Sequence, residues 1–201
     1  MSMIIKRNAD QSEIYNYGNL VKQDTGSYTV KICSEPGETD LHVQTSMPWH
    51  HDRGYSSNIH KKIGLYYPIG SEVSTIELIQ CLRNKKYIIS LPVLEKNSGM
   101  SFYEWNEKSP LKISNFGIPE PIKLKKVIPS TLIIPMVAFD AKLNRLGYGG
   151  GFYDRFISKL EKTKKILKIG LALSCQKINK VPINKFDKKM NYIFTENKIY
   201  K

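Results

Sequence analysis

Long apolar runs are missing from this sequence. No stretch approaches the roughly 18 to 20 residues that a bilayer-spanning helix requires. The N-terminus also lacks the basic start, apolar core and small-residue cleavage site of a secretory leader. A cytoplasmic chain is the expectation. Cysteines are few: Cys33, Cys81 and Cys175 are odd in number, far apart and never in a CxxC pair, which disfavours a disulfide framework or a zinc site. Acidic residues are scarce beside basic ones, 18 against 31, so the formal charge is +13. Such a balance favours anionic partners: nucleotides, polyanionic substrates or nucleic acid. The lysines are scattered (Lys123, Lys125, Lys126; Lys162, Lys164, Lys165; Lys188, Lys189), and no aromatic-interleaved basic stripe of the RNA-binding type stands out. Neither nucleic acid nor membrane is expected as a partner. Internal repeats and low-complexity tracts are absent as well.

What is present suits a soluble globular protein of 201 residues, with 41% hydrophobic and 24% charged residues. That length accommodates one domain with a sizeable core, or one domain plus an appendage. A seam lies near residue 60. Residues 1–60 hold five Lys/Arg and seven Asp/Glu, whereas residues 61–201 hold 26 and 11, a net of +15. All four histidines lie before the seam. The expected division is an atypical, poorly packed segment over 1–60 and an α/β domain over 61–201.

The first part shows little periodicity. Val30 to Ile32 suits a short strand and Glu13 to Val21 a weak helix, while 34–40 and 47–58 read as loop. His50 and His51 are adjacent, so on a regular element they point apart; a loop pair is favoured over a metal site. After the seam, strands and helices alternate. Strands are expected at Ile63–Tyr67, stopped by Pro68, and at Tyr87–Leu91, ended by Pro92. Further strands are expected at Met100–Trp105, Thr131–Ile134, Lys168–Leu173 and, last, Tyr192–Thr195. Helices are expected from a Ser74 or Thr75 cap to about Asn84, and from Tyr153 to about Leu160. Thr131–Ile134, fully apolar between Pro129 and Pro135, suggests a central strand covered on both faces. The order points to a layered α/β domain with a largely parallel or mixed central sheet flanked by helices.

The segment richest in chemistry runs from Phe139 to Arg155, and within it Arg145, Leu146, Gly147, Tyr148, Gly149, Gly150, Gly151, Phe152, Tyr153, Asp154 and Arg155 follow one another. It follows the central apolar strand and leads into a helix, and ligands of open α/β sheets bind beyond the C-terminal ends of strands. Its glycines let a ligand approach the backbone, and their N–H groups can converge on phosphate oxygens beside a helix N-terminus. Arg145 offers a permanently charged fork for phosphate, and Asp154 a hard oxygen ligand for the magnesium that accompanies ATP. The spacing matches neither a Walker A loop nor a GxGxxG dinucleotide turn.

Arg-Leu-Gly-Tyr-Gly-Gly-Gly-Phe-Tyr-Asp-Arg over 145–155 resembles the RLGxGxGxYDR signature of the 5-formyltetrahydrofolate cyclo-ligase family, the methenyltetrahydrofolate synthetases. Leu65 to Thr75 looks like that family's substrate-binding strand and turn. Leu91-Pro-Val, Met100 to Trp105 and Phe116 to Pro121 resemble its middle motifs, in order, and Val181 to Asp187 and Ile193 to Glu196 its C-terminal ones. The resemblance runs from about residue 61 to 199.

The resemblance implies ATP- and Mg²⁺-dependent conversion of 5-formyltetrahydrofolate to 5,10-methenyltetrahydrofolate by a monomeric enzyme. It implies that Arg145 to Tyr153 bind the nucleotide, with Arg145 catalytic through electrostatic stabilisation of the transferring phosphoryl group. Tyr148, Gly149, Gly150, Gly151 and Phe152 would also approach the folate. Tyr67 and Glu72 match folate-contacting positions, Trp105 and Phe102 would wall the pterin pocket, and Asp154 and Asp187 match magnesium ligands. Plain structural readings stand beside these: Asp154 as a helix cap, Asp187 as a turn residue, Glu72 as a turn carboxylate, Tyr67 and Trp105 as core aromatics.

Family members begin with a helix whose basic residues reach the ATP phosphates. Residues 1–60 show no such helix, and Lys6-Arg7 has no amphipathic continuation. The expectation is that this segment stands in place of the usual N-terminus, through a frameshift or misplaced start, with half of the phosphate clamp missing. Two alternatives to a working enzyme follow: an impaired remnant of the family, and a basic nucleic-acid-binding protein, which accounts for the charge but not for the glycine run.

Overall fold

The computed structural model describes residues 3–6, 27–33, 42–45, 62–95, 99–122 and 125–201. Three strands precede the seam, β1 (Met3–Lys6), β2 (Ser27–Cys33) and β3 (His42–Thr45), and form an antiparallel sheet of order β1-β2-β3. β2 includes the strand expected at Val30–Ile32; β1 and β3 were not foreseen. The helix expected at Glu13–Val21, the loops at 34–40 and 47–58, and His50 and His51 lie outside the described residues.

Beyond the seam come β4 (Lys62–Gly64), α1 (Ile76–Asn84), β5 (Ile88–Glu95), β6 (Gly99–Glu104), β7 (Leu111–Ile113), β8 (Pro119–Pro121), β9 (Lys126–Val127) and β10 (Thr131–Ile134). They are followed by β11 (Ala138–Phe139), β12 (Arg145–Leu146), α2 (Phe152–Glu161), β13 (Leu167–Leu171), β14 (Tyr192–Phe194) and β15 (Ile199–Tyr200). Eight of these strands make one sheet, ordered β15-β14-β13-β10-β4-β5-β6-β9. The run from β14 to β5 is parallel throughout, while β15, β6 and β9 join antiparallel at the edges. This is the mixed, largely parallel sheet expected from the alternation of elements.

β10 is the central strand its apolar run suggested, paired with β13 on one side and β4 on the other. Strand side chains alternate between faces. Ile133 therefore joins the core containing Leu78, Ile79 and Leu82 of α1, whereas Leu132 and Ile134 join the one containing Ile157 and Leu160 of α2. One helix thus covers each face. α1 follows from its pattern: Leu78, Ile79, Cys81 and Leu82 lie on one stripe, with Glu77 in the first turn and Arg83 in the last to complement the helix dipole. It ends in a Schellman turn, with Lys86 N–H on Arg83 O (2.8 Å) and Tyr87 N–H on Leu82 O (3.1 Å). Lys86 takes the left-handed conformation usually left to glycine, with φ 63°.

Several boundaries depart from the sequence reading. β4 ends at Gly64 rather than Tyr67, because 65–75 turns into a loop that binds itself. β5 runs through Pro92 to Glu95: β4 leaves the ladder at the Gly64–Ser90 pair, so beyond it β5 pairs with β6 alone and a missing N–H is tolerated. Tyr192–Phe194 is followed by β15, too short to show a period. Thr75 occupies the cap position of α1, yet its hydroxyl donates to Tyr66 O (2.7 Å) instead of capping. Among the described residues, no helix is long and apolar enough to cross a membrane.

Candidate active site

β4 and β10 are neighbouring parallel strands, and the loops that leave their C-terminal ends carry most of the residues singled out by sequence. The loop after β4 is tied by its own polar groups. The Tyr66 hydroxyl donates to Val73 O (2.6 Å), Glu72 N–H donates to Ile69 O (3.1 Å), and Ile69 N–H donates to Glu72 Oε2 (3.0 Å). Glu72 is thereby held at 9% exposure. Burial raises its carboxyl pKa, and hydrogen bonds from Ile69 N–H and the Tyr148 hydroxyl only partly offset this. Although most of its ring is exposed, the Tyr148 hydroxyl is also pushed up, by partial desolvation and by the charge of Glu72. That contact joins the two loops. Tyr67 meets Trp105 edge to face, with centroids 6.1 Å apart. Trp105 is itself buried, its indole N–H donated to Ser109 O (3.0 Å).

After β10 the chain makes the β11–β12 hairpin, organised by Asp140. This buried carboxylate accepts hydrogen bonds from Lys142 N–H (2.9 Å), Asn144 N–H (3.1 Å), the Asn144 side-chain amide (2.9 Å) and Val181 N–H (3.1 Å). Burial would raise its pKa, but these donors outweigh burial and hold it below the ordinary value. The hairpin delivers Arg145 into the site. Its Nη2 donates to Asp154 Oδ2 at 2.8 Å, and the two side chains are 6% and 17% exposed. The guanidinium carbon also lies 5.6 Å from the centroid of the Tyr153 ring.

Between Arg145 and Asp154 runs the glycine segment. Gly149 (φ 87°) and Gly151 (φ 60°) hold left-handed conformations that a side chain would strain, and Gly151 is the residue before the first turn of α2. Tyr148 is exposed at the tip of the segment. Phe152 packs against Phe116, with centroids 6.1 Å apart, and lies under the guanidinium of Arg155, which donates to Gly150 O (2.7 Å). The Leu146 carbonyl accepts Val137 N–H at 2.8 Å. Two buried polar atoms here have no partner, Arg145 Nε and the Tyr153 hydroxyl. Burial raises the Tyr153 pKa strongly, and Glu72 adds to this while Arg145 opposes it. Unsatisfied buried donors are rare in native proteins, and each calls for an explanation such as a catalytic role or a bound ion or water.

The fit of a divalent cation rests on Asp154 and Asp187. The Lys188 N–H, one residue beyond Asp187, donates to Asp154 Oδ1 at 3.0 Å, so the segment carrying Asp187 runs beside the first turn of α2. Asp187 Oδ2 accepts Asn184 N–H at 2.7 Å. No group of three or more His, Cys, Asp or Glu suited to a metal occurs among the described residues. Magnesium needs no such group: it takes one or two carboxylates and completes its shell with water and substrate phosphates. The donors present fit it in kind, as hard carboxylate oxygens with lone pairs to spare.

The structure therefore brings together Glu72, Arg145, Tyr148, Tyr153 and Asp154, sets Asp187 on the adjoining segment, and keeps Tyr67 and Trp105 as a separate pair nearer the core. Phe102 is fully buried in the α2-side core, where α2 covers β6. Tyr66, Phe116 and Asp140 lie within motifs singled out by sequence, but sequence reasoning gave none of them a role of its own. Of these only Asp140 had a local signal, the Asp-Ala-Lys-Leu-Asn spacing of a tight side-chain-bonded turn.

The sequence model of the 5-formyltetrahydrofolate cyclo-ligase family matches residues 51–196, starting ahead of the seam. A 5-formyltetrahydrofolate cyclo-ligase from Haemophilus influenzae is 38% identical over 134 residues, 63% of this chain and 71% of the relative. One from Escherichia coli K12 is 31% identical over 145 residues, 69% of this chain and 79% of the relative. The solved structure of a 5,10-methenyltetrahydrofolate synthetase from Aquifex aeolicus superposes with a TM-score of 0.58 at 31% identity, covering 70% of this chain and 71% of that one. One from Mycoplasma pneumoniae gives 0.53 at 25% identity, covering 66% and 71%. With most of its length matched and the glycine-rich signature intact between β12 and α2, the chain belongs to the 5-formyltetrahydrofolate cyclo-ligase family.

Proposed function

We propose that this chain converts 5-formyltetrahydrofolate to 5,10-methenyltetrahydrofolate with consumption of ATP and release of ADP and phosphate. The observation that carries the reading is the pair of unpartnered buried donors, Arg145 Nε and the Tyr153 hydroxyl, flanking the glycine segment that links the β11–β12 hairpin to α2. An anionic ligand there supplies the acceptors that the protein leaves out.

In this reading the formyl oxygen attacks the γ-phosphorus of ATP and the bond to the β-phosphate oxygen breaks, releasing ADP. The neighbouring folate nitrogen then attacks the activated formyl carbon and gives up its proton, and phosphate departs with the formyl oxygen. No enzyme nucleophile is required. Catalysis is positioning together with electrostatic stabilisation of the moving phosphoryl group. Arg145 and the N–H groups of Gly147 to Phe152 bind the phosphates. Glu72 accepts hydrogen bonds from the pterin, the Tyr148 to Phe152 backbone closes over it, and Tyr67, backed by Trp105, borders it. Asp154 and Asp187 hold Mg²⁺, which when bound neutralises phosphate charge.

The catalytic unit is residues 61–201, and the enzyme is a cytoplasmic monomer that engages neither nucleic acid nor membrane. An isotope experiment tests the chemical course. With ¹⁸O in the formyl group, the released phosphate should carry one ¹⁸O per product formed; unlabelled phosphate would sink the proposed phosphorylation of the formyl oxygen.

A further inference from the structure

One residue lays the segment 184–188 along α2. Lys188 donates its backbone N–H to Asp154 Oδ1 (3.0 Å), and its ammonium lies 3.0 Å from Glu161 Oε2. Asp154 and Glu161 stand in the first and last turns of α2, two helical turns apart and on one face. Glu161 also takes the ammonium of Lys168, at the start of β13, at 2.5 Å. All three side chains are at least two-thirds buried. Burial would raise the Glu161 carboxyl, but the two ammonium groups outweigh it and hold the pKa below the ordinary value.

A segment attached to a helix at one point can pivot; one attached at two points two turns apart has its direction set. Asp187 is the residue immediately before the doubly attached one. Neither Lys188 nor Glu161 belongs to the glycine signature.

We propose that Lys188 and Glu161 are positioning residues that set Asp187 against Asp154 and so tune the affinity of the site for its divalent cation. This rests on the reading of Asp154 and Asp187 as cation ligands. Residues that orient metal ligands from outside commonly change metal affinity by about 10- to 100-fold when replaced.

The test is Mn²⁺ binding to the full chain with ADP present, followed by electron paramagnetic resonance, with folding checked by circular dichroism. K188M, which keeps the backbone N–H, and E161Q should each weaken Mn²⁺ binding about tenfold. The double variant should be no weaker than the worse single one, because both act through one contact. K188R, which keeps the cation, should bind as the unmodified chain does. Unchanged Mn²⁺ affinity in folded K188M and E161Q, beside weakened binding in D154N, would overturn the inference and leave the ligand reading standing. Additive losses, or equal losses in K188R and K188M, would overturn it too. Unchanged binding in D154N would overturn the ligand reading itself.

Discussion

Arg145 and Asp154 close the glycine-rich segment from its two ends, the guanidinium leaving β12 and the carboxylate entering α2, 2.8 Å apart and largely out of water. The pair fixes the span of the loop before any ligand arrives. It also neutralises a carboxylate that would otherwise be partly buried without a counter-charge. Arg145→Met should therefore cost about 1.5–3 kcal/mol of stability, the range for a charge-assisted hydrogen bond. Arg145→Met with Asp154→Asn should cost less than the sum of the two single changes. Urea unfolding midpoints check both; additivity would mean that the pair does not act as a unit.

Glu72 sets function against stability. Its carboxyl pKa is raised from the ordinary 4.5, chiefly by burial. Below pH 4.5 the group is protonated folded or unfolded and makes no difference; as pH rises through the folded pKa, the protein loses stability because a buried carboxyl must ionise. Glu72→Gln should thus be more stable than the unmodified chain at pH 7, with the gap closing below pH 4.5. Its kcat/KM for the folate should fall about tenfold or more, the loss expected for one charge-assisted hydrogen bond. Thermal melts across pH, beside steady-state kinetics, read the two effects separately.

Asp140 has the opposite sign. Its pKa is held below the ordinary 3.8, so its contribution is fully present above that value and is lost as pH falls through the folded pKa. Asp140→Asn should destabilise by about 1.5–3 kcal/mol at neutral pH, since a charged acceptor serving several buried donors is replaced by a neutral one. The two proteins should converge in stability in acid. A gap that persists undiminished well below the folded pKa would mean that the hairpin is held by something other than the ionised carboxylate.

What could be read from sequence was local. The glycine segment, with Arg145 and Asp154 at its ends, lies within eleven consecutive residues, and Thr131–Ile134 announces a central strand by Leu132, Ile133 and Ile134 between prolines. The apolar stripe of α1 was legible for the same reason. What was hidden depends on distant partners. Asp140 accepts from Val181, 41 residues away, and Lys188 meets Asp154 at a separation of 34. Pro92 looked like the end of a strand because its tolerance comes from where β4 stops pairing with β5, which no local pattern shows. β15 has two residues, fewer than any periodicity needs. Thr75 stands where a capping residue belongs, yet the carbonyl that claims its hydroxyl is that of Tyr66, nine residues back.

The most direct test of the central claim is the absorbance of the methenyl product, with purified full chain, 5-formyltetrahydrofolate and MgATP. The account predicts turnover that requires ATP and is largely lost in Asp154→Asn. A folded, soluble chain that forms no product, or that forms it equally without ATP, would contradict it.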